Sequence, residues 1–102
     1  MNLFGLSEKD FSEMIAIFKS VPEIEEVIIF GSRATGKQKT ASDIDLAVKG
    51  EKITFKDITK IKTSLEHDTF IPYFFDVIEY NAIQNQDLID HINQYGKKLY
   101  SP

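Results

Sequence analysis

Cysteine is absent from this chain of 102 residues, and so is tryptophan. The lack of cysteine excludes disulfide bonds and metal sites built from thiolates, and it suits a reducing compartment. No apolar run approaches the roughly 20 residues that a membrane-spanning helix needs. The first six residues also lack the basic region and apolar run of a signal peptide, so we expect a cytoplasmic protein without a membrane anchor.

Basic residues are scarce relative to acidic ones: 12 Lys and Arg stand against 16 Asp and Glu, for a net charge of -4. A protein that gains its affinity by neutralising many phosphates needs clustered cations, so we expect no strong direct binding to nucleic acid. The hydrophobic fraction of 42% and the charged fraction of 27% are typical of a globular protein. With no repeat and no linker, residues 1–102 are expected to form a single domain.

Two N-terminal capping signatures predict where helices begin. Ser7 and Thr54 each stand three residues before an Asp and ahead of apolar residues at helical spacing. The first of these helices is expected to end near Ser20. A third helix is expected to start between residues 81 and 85 and to stop at Gly96. Its predicted inner stripe is Leu88, Ile89, Ile92 and Tyr95.

Three short segments rich in β-branched and aromatic residues are predicted strands: residues 26–30, 44–48 and 73–79. The first is almost continuously apolar, which is typical of a strand covered on both faces. Leu99 and Tyr100 are apolar side chains that the last residues of the chain can bury against the core. The order helix, strand, strand, helix, strand, helix predicts a small α/β (α+β) fold, with one mixed sheet and helices mainly on one face.

Two carboxylates stand two positions apart where the second predicted strand begins. Because side chains alternate along a strand, Asp43 and Asp45 share a face, while Ile44 and Leu46 point to the core. Two Asp side chains on one face of a strand repel each other, and folding alone does not explain them. A bound Mg²⁺ or Mn²⁺ would reverse that repulsion, and two such ions can promote displacement at phosphorus. The alternative is a pair of solvent-facing acids where the strand begins.

A third acid, Asp76, interrupts the last predicted strand. Its neighbours in the chain are aromatic and β-branched, and an unpaired charge buried among them would be costly. A neighbouring strand would bring Asp76 close to the Asp43 and Asp45 pair. The alternative is an acid on an edge strand, exposed to water.

A glycine-rich turn directly follows the first predicted strand. Gly31 and Gly36 free the backbone to approach a phosphate, and Ser32 adds a hydroxyl donor. Arg33 could pair with phosphate oxygens through two hydrogen bonds. Such a turn is a weak signal alone, since strands often end in one. The short distance to Asp43 is what makes it informative.

The sequence GSRATG at residues 31–36, followed by DID at residues 43–45, resembles the signature of the DNA polymerase β superfamily of nucleotidyltransferases. In that signature a Gly-Ser turn precedes an Asp-x-Asp pair, and a later strand carries a third Asp. Within the superfamily the chain is similar to the minimal nucleotidyltransferases of the MNT type, which are commonly paired with a HEPN protein in prokaryotic toxin-antitoxin modules. The resemblance covers nearly the whole chain and implies the polymerase β-like palm fold.

The resemblance also implies roles for individual residues. Asp43 and Asp45 would be metal ligands, and Asp76 the third ligand and the catalytic base. Two Mg²⁺ or Mn²⁺ ions would be the cofactors. The implied nucleotide-binding residues are Gly31, Ser32, Arg33 and Ser42. Thr35 departs from the pattern, since small members of the family often carry a basic residue there.

For function, the resemblance implies that ATP is the donor and that a side-chain hydroxyl of a HEPN toxin is the acceptor, so that adenylylation (AMPylation) silences the toxin. A chain of 102 residues leaves no room for the helical domain that grips the base or the acceptor in larger relatives. We therefore expect a helical partner chain, or a second copy, to supply those contacts. Two alternatives stay open: an antitoxin that neutralises its partner by contact alone, and a transferase for a small molecule such as an aminoglycoside.

The remaining candidates are assigned to structure rather than chemistry. His67 and His91 have no partners at metal-ligand spacing, and both are predicted to lie on the surface. Phe74 and Phe75 are predicted to be core residues rather than platforms for stacking a base.

Overall fold

The computed structural model describes residues 3–102. These residues form a four-stranded sheet, four α-helices and one turn of 3₁₀ helix. In chain order the elements are α1 Glu8–Lys19, β1 Glu26–Phe30, α2 Ser32–Thr35, β2 Ile44–Lys49, α3 Phe55–His67, β3 Phe75–Glu79, the 3₁₀ turn Tyr80–Ala82, α4 Gln86–Tyr95 and β4 Lys97–Tyr100.

Both predicted capping signatures form capping boxes. The side chain of Ser7 accepts a hydrogen bond from the backbone N–H of Asp10, and the Asp10 carboxylate accepts one from the backbone N–H of Ser7. Thr54 and Asp57 do the same at the start of α3. Each box satisfies two N–H groups that the first helical turn leaves unpaired. The starts of α1 and α3 are therefore encoded locally, as the sequence predicts.

The sheet is mixed, with the strand order β3-β2-β1-β4. β1 pairs antiparallel with β2 and with β4, while β2 and β3 run parallel. In the register of these pairs, Asp45 lies opposite Phe30 on one side and Asp76 on the other. The end of β1, the start of β2 and the start of β3 thus meet at one end of the sheet.

Helices α1 and α3 cover one face of the sheet and form the larger core. Alternate residues of the strands point into this core, where they pack against the apolar faces of the two helices. The other face is only partly covered, by α4, whose Ile92 packs with Ile28 and Ala47. Helices therefore lie mainly on one face, as predicted. The larger core includes Met14, Phe18, Ile58, Ile61 and Leu65 from the helices and Val27, Ile29, Leu46, Phe75 and Val77 from the strands.

Three elements were not predicted, namely α2, the 3₁₀ turn and β4, and two strand boundaries differ. The helix α2 is a single short turn, and β4 begins with two lysines, so neither carries a strong sequence pattern. β2 begins at Ile44 as predicted, with Asp43 in the preceding loop, but it extends to Lys49, and β3 begins at Phe75 rather than at residue 73. In residues 3–102, every helix is too short or too polar to cross a membrane.

Candidate active site

Asp45 and Asp76 are neighbours across the parallel pair β2 and β3. They are direct register partners, and both alternate with buried residues that face the larger core. Their side chains therefore project from the opposite face of the sheet. Asp45 is half-buried, whereas Asp76 is exposed on an edge strand. The expected burial cost of Asp76 is thus wrong, but the expected closeness of the two acids is found.

The electrostatic effect of this arrangement falls on Asp45. Its pKa is raised above the ordinary value, first because burial disfavours the charged carboxylate, and then because Asp76 and Asp43 add negative charge nearby. Arg33 and His91 act in the opposite direction and lower the pKa. Asp45 is therefore an acid held in an unfavourable environment, which is a common property of functional sites.

Asp43 occupies a different position from the one predicted. It lies in the loop just before β2 and is exposed, so strand pairing does not hold it in place as it holds Asp45. Its charge still acts on Asp45. The three acids are thus electrostatically coupled through Asp45, although only Asp45 and Asp76 are positioned by strand pairing.

The turn after β1 passes directly against Asp45. Gly31 has a positive φ of 75° with ψ of -153°, a conformation that is essentially restricted to glycine. A Cβ atom added at Gly31 would overlap Oδ2 of Asp45. Two separate features therefore require glycine at position 31: the backbone conformation and the closeness of the Asp45 carboxylate. Ser32 then begins α2, which ends at Gly36 in the left-handed conformation.

Arg33 is buried, with 2% of its surface exposed, and its guanidinium is committed to the protein. Nη2 and Nε donate to the carbonyl oxygen of Ser42 at 2.6 and 3.1 Å, and Nη1 donates to that of Phe4 at 2.9 Å. Nε also lies 3.3 Å from the carbonyl oxygen of Asp43. The guanidinium stacks 4.3 Å from the ring centre of Tyr73. Arg33 thus anchors the loop that leads into β2.

Ser42 closes the same loop. Its hydroxyl oxygen accepts a hydrogen bond from the backbone N–H of Lys39 at 2.8 Å, and its own N–H donates to the Lys39 carbonyl at 3.1 Å. Together with Arg33, this serine holds the chain that delivers Asp43 and Asp45. The sequence suggested nucleotide contacts for both residues, and those roles stay predictions.

His91 belongs to the site, although it was predicted to lie on the surface. Its Nε2 accepts a hydrogen bond from the backbone N–H of Gly31 at 3.2 Å. Its ring packs edge-on against Phe30 and, one helical turn away, against Tyr95. The sequence could not indicate this, because the contact joins residues 60 positions apart and depends on how α4 packs against β1. His67, in contrast, is exposed as expected.

An open cleft of about 700 Å³ adjoins the Gly31 turn. Ser32 and Thr35 of α2 line one side, and His91 and Tyr95 of α4 line another. The lysines Lys37 and Lys97 also line the cleft and bring positive charge to it, and the Asp45 carboxylate lies against Gly31 at its edge.

The prediction for the two adjacent phenylalanines is half correct. Phe75 is a core residue with 2% of its surface exposed, but 76% of Phe74 is exposed. Phe74 lies directly before β3 and is separated from Asp76 in the chain by Phe75 alone. An exposed aromatic side chain therefore stands next to the third acid.

The donor set suits a hard divalent cation, which prefers carboxylate oxygen. A cation between Asp45 and Asp76 would relieve the repulsion that raises the pKa of Asp45. In residues 3–102 no group of three His, Cys, Asp or Glu side chains is already gathered as a metal site. Asp43, Asp45 and Asp76 stay the predicted ligands, and the sheet itself brings together the last two.

Comparison with known proteins identifies the fold and the family. The sequence model of the family "Polymerase beta, Nucleotidyltransferase" matches residues 12–102, which confirms the resemblance noted in the sequence. No curated protein sequence matches the chain.

Several solved structures are similar, all at less than 25% identity, and they support the polymerase β-like fold. A toxin-antitoxin crystal structure with AMP-PNP has a TM-score of 0.74 at 20% identity, covering 90% of this chain and 73% of the other. The toxin-antitoxin MntA-HepT has a TM-score of 0.69 at 16% identity, covering 94% and 74%. A tri-AMPylated Shewanella oneidensis HEPN toxin in complex with MNT antitoxin has a TM-score of 0.67 at 17% identity, covering 91% and 71%.

Proposed function

This chain belongs to the polymerase beta nucleotidyltransferase family, and from that premise we propose that it transfers AMP from ATP to a hydroxyl group of a HEPN-type partner protein and so acts as its antitoxin. The observation that carries the proposal is the pairing of Asp45 with Asp76 beside the Gly31 turn. It sets two acids on one sheet face, beside a glycine turn whose backbone lies against the Asp45 carboxylate.

The reaction is a displacement at the α-phosphorus of the nucleoside triphosphate. The acceptor oxygen forms a bond to phosphorus, and the bond from phosphorus to the oxygen bridging to the β-phosphate breaks. Pyrophosphate leaves with that electron pair, and the proton of the acceptor hydroxyl passes to the Asp76 carboxylate. Asp76 suits this role because it is exposed, whereas Asp45 is half-buried behind the Gly31 turn.

Asp43, Asp45 and Asp76 would hold two Mg²⁺ or Mn²⁺ ions. When bound, such ions offset negative charge on the phosphates and on the carboxylates. The chain's own contribution is positioning: strand pairing sets Asp45 against Asp76, and Arg33 holds the loop before β2. Positioning and electrostatics supply most of the rate in phosphoryl transfer generally.

For the triphosphate we propose contacts with Gly31 and Ser32, at the point where the chain turns away from β1. Arg33 and Ser42 support these contacts indirectly, since their hydrogen bonds tie the loop of residues 39–43 together. Of the four residues predicted for nucleotide binding, Gly31 and Ser32 would thus contact the triphosphate, and Arg33 and Ser42 would hold the neighbouring loop in place.

A protein acceptor is favoured over a small molecule by the surface beside Asp76. Phe74 is 76% exposed there, and an exposed aromatic side chain next to a reacting group suits contact with another protein. Complexes with toxins among the similar structures agree with such an acceptor.

The test uses ATP labelled on its α-phosphate, Mg²⁺ and the protein encoded beside this chain. We expect label to pass to the partner and to require Asp45. If none of the four nucleoside triphosphates labels the partner, and the double variant Asp43→Asn, Asp45→Asn still neutralises it in cells, then neutralisation by contact is correct and the catalytic proposal is wrong.

A further inference from the structure

The cleft between α2 and α4 is lined by Gly31 and Ser32 and also by residues to which the transfer chemistry gives no role. It adjoins Gly31, contains aromatic side chains on one helix and carries two lysines. Resting on the function proposed above, we propose that this cleft binds the nucleoside triphosphate, with Tyr95 stacking on the base and Lys37 and Lys97 facing the phosphates.

The aromatic side of the cleft is held in place by the Gly31 turn. The hydrogen bond from Gly31 N–H to Nε2 fixes the ring of His91, and Phe30 packs edge-on against that ring at 6.2 Å between centroids. Tyr95 lies one helical turn beyond, with its ring centre 5.4 Å from that of His91. The ring of Tyr95 is therefore supported by contact with His91, while 45% of the residue stays exposed.

A supported and exposed aromatic ring is what a nucleobase needs. Every base has a flat π-face, so stacking on Tyr95 requires no particular pattern of donors and acceptors. Tyr95 has two side-chain torsions and a neighbour that restricts them, so ordering it on binding costs little entropy.

The cationic side suits the rest of the same ligand. Lys37 follows α2 directly and Lys97 opens β4, and both line the cleft. Neither makes a salt bridge to another residue between 3 and 102. Both ammonium groups are thus free to attract phosphate oxygens, in a protein whose net charge of -4 would otherwise repel them.

Affinity measurements on the full chain with Mg²⁺ test the assignment, using ATP and inorganic tripolyphosphate as separate probes. Tyr95→Ala is expected to weaken ATP about 5- to 150-fold, the loss that corresponds to one stacked base. It should leave tripolyphosphate unchanged, which also shows that the variant is folded. Tyr95→Phe keeps the ring and should bind ATP like the wild type.

The lysines have a matched control in the same strand. Lys97→Ala should weaken both ATP and tripolyphosphate several-fold, whereas Lys98→Ala, at an exposed position outside the cleft, should weaken neither beyond a small general salt effect. The contrast between adjacent positions separates a local contact from a change in overall charge.

Three results would overturn the assignment. They are unchanged ATP affinity in Tyr95→Ala, an equal loss of tripolyphosphate in that variant, and equal effects of Lys97→Ala and Lys98→Ala. In each of these cases the wild type still binds triphosphate, so the proposed function survives. If the wild type binds no nucleoside triphosphate at all, the proposed function and the cleft assignment fail together.

Discussion

Asp45 of β2 lies directly opposite Asp76 of β3, and the parallel pairing of the two strands puts both carboxylates on the face of the sheet that α1 and α3 leave open. No local rule favours this arrangement, since like charges opposite each other destabilise a sheet. The pairing therefore lowers the stability of the fold. A site that binds cations or phosphoryl groups would explain why it is present.

That cost can be measured through Asp45→Asn. The folded-state pKa of Asp45 is raised, so the native protein binds this proton more tightly than the unfolded chain does. Ionised Asp45 therefore lowers stability at pH values above its folded pKa, and the cost disappears as the pH falls below the ordinary Asp pKa of about 3.9. At neutral pH the variant should gain about 0.5–2 kcal/mol, a range typical of relieved charge repulsion.

The measurement is urea unfolding in EDTA at neutral pH and again in acid. We expect the gain only at neutral pH. Asp87→Asn, which changes an exposed acid in the first turn of α4, serves as the control and should not gain stability. A loss of stability in Asp45→Asn at neutral pH would contradict the electrostatic account.

Gly31 and Gly36 form a matched pair for testing the turn. Both have positive φ, but a Cβ atom at Gly31 would overlap the Asp45 carboxylate, whereas nothing lies within 4 Å of one at Gly36. Gly36→Ala should lose about 1–2 kcal/mol for its left-handed backbone. Gly31→Ala should lose more, because the overlap adds to the backbone strain of roughly 1–3 kcal/mol.

Thermal or chemical unfolding of the two glycine variants checks this order. Adding Asp45→Ala should reduce the loss caused by Gly31→Ala, since the overlapping carboxylate is then gone. It should not change the loss caused by Gly36→Ala. Equal losses at the two glycines would show that Gly31 and Asp45 are not in contact.

Arg33→Lys separates structural support from phosphate binding. Lysine cannot reproduce the fork that reaches the carbonyl oxygens of Phe4 and Ser42, so buried acceptors lose their partners. We expect the free energy of unfolding to fall by about 1–3 kcal/mol. Triphosphate affinity, measured on the protein that remains folded, should change little. Normal stability with weakened triphosphate binding would instead make Arg33 a direct phosphate contact.

Phe74 and Phe75 test the docking surface beside Asp76. Phe75→Ala should cost about 3–5 kcal/mol of stability because it empties part of the larger core. Phe74→Ala should leave stability and nucleotide binding unchanged, yet slow transfer to the partner protein. Transfer at the wild-type rate in Phe74→Ala would show that the acceptor docks elsewhere.

Local chemistry explains which parts of this structure are predictable. The capping boxes of Ser7 and Thr54 and the apolar strand ending at Phe30 depend on neighbouring residues, so the sequence pattern predicts them. The register that joins Asp45 to Asp76 depends on tertiary packing, and periodicity says only that a strand exists. The sequence therefore predicts these acids as candidates but not which two of the three acids meet.

Other parts of the site depend on contacts between distant segments. Arg33 looks like a phosphate-binding residue from its neighbours in the chain, and only the folded loop of residues 39–43 shows that its guanidinium is occupied. His91 accepts a hydrogen bond from the backbone N–H of Gly31, which lies 60 positions earlier in the chain. Phe74 and Phe75 look alike in sequence, but Phe75 begins β3 and is buried in the core, whereas Phe74 lies just before the strand and is exposed.

The central claim is nucleotidyl transfer at the Asp45 and Asp76 pair, and the intact mass of the partner protein tests it most directly. Purified partner is incubated with ATP, Mg²⁺ and either the wild-type chain, Asp45→Asn, Asp76→Asn or the control Asp87→Asn. We predict that the wild type and Asp87→Asn add the mass of one or more AMP groups, and that Asp45→Asn and Asp76→Asn add none at the same time points. No added mass with the wild type, or equal addition with all four proteins, would contradict the account.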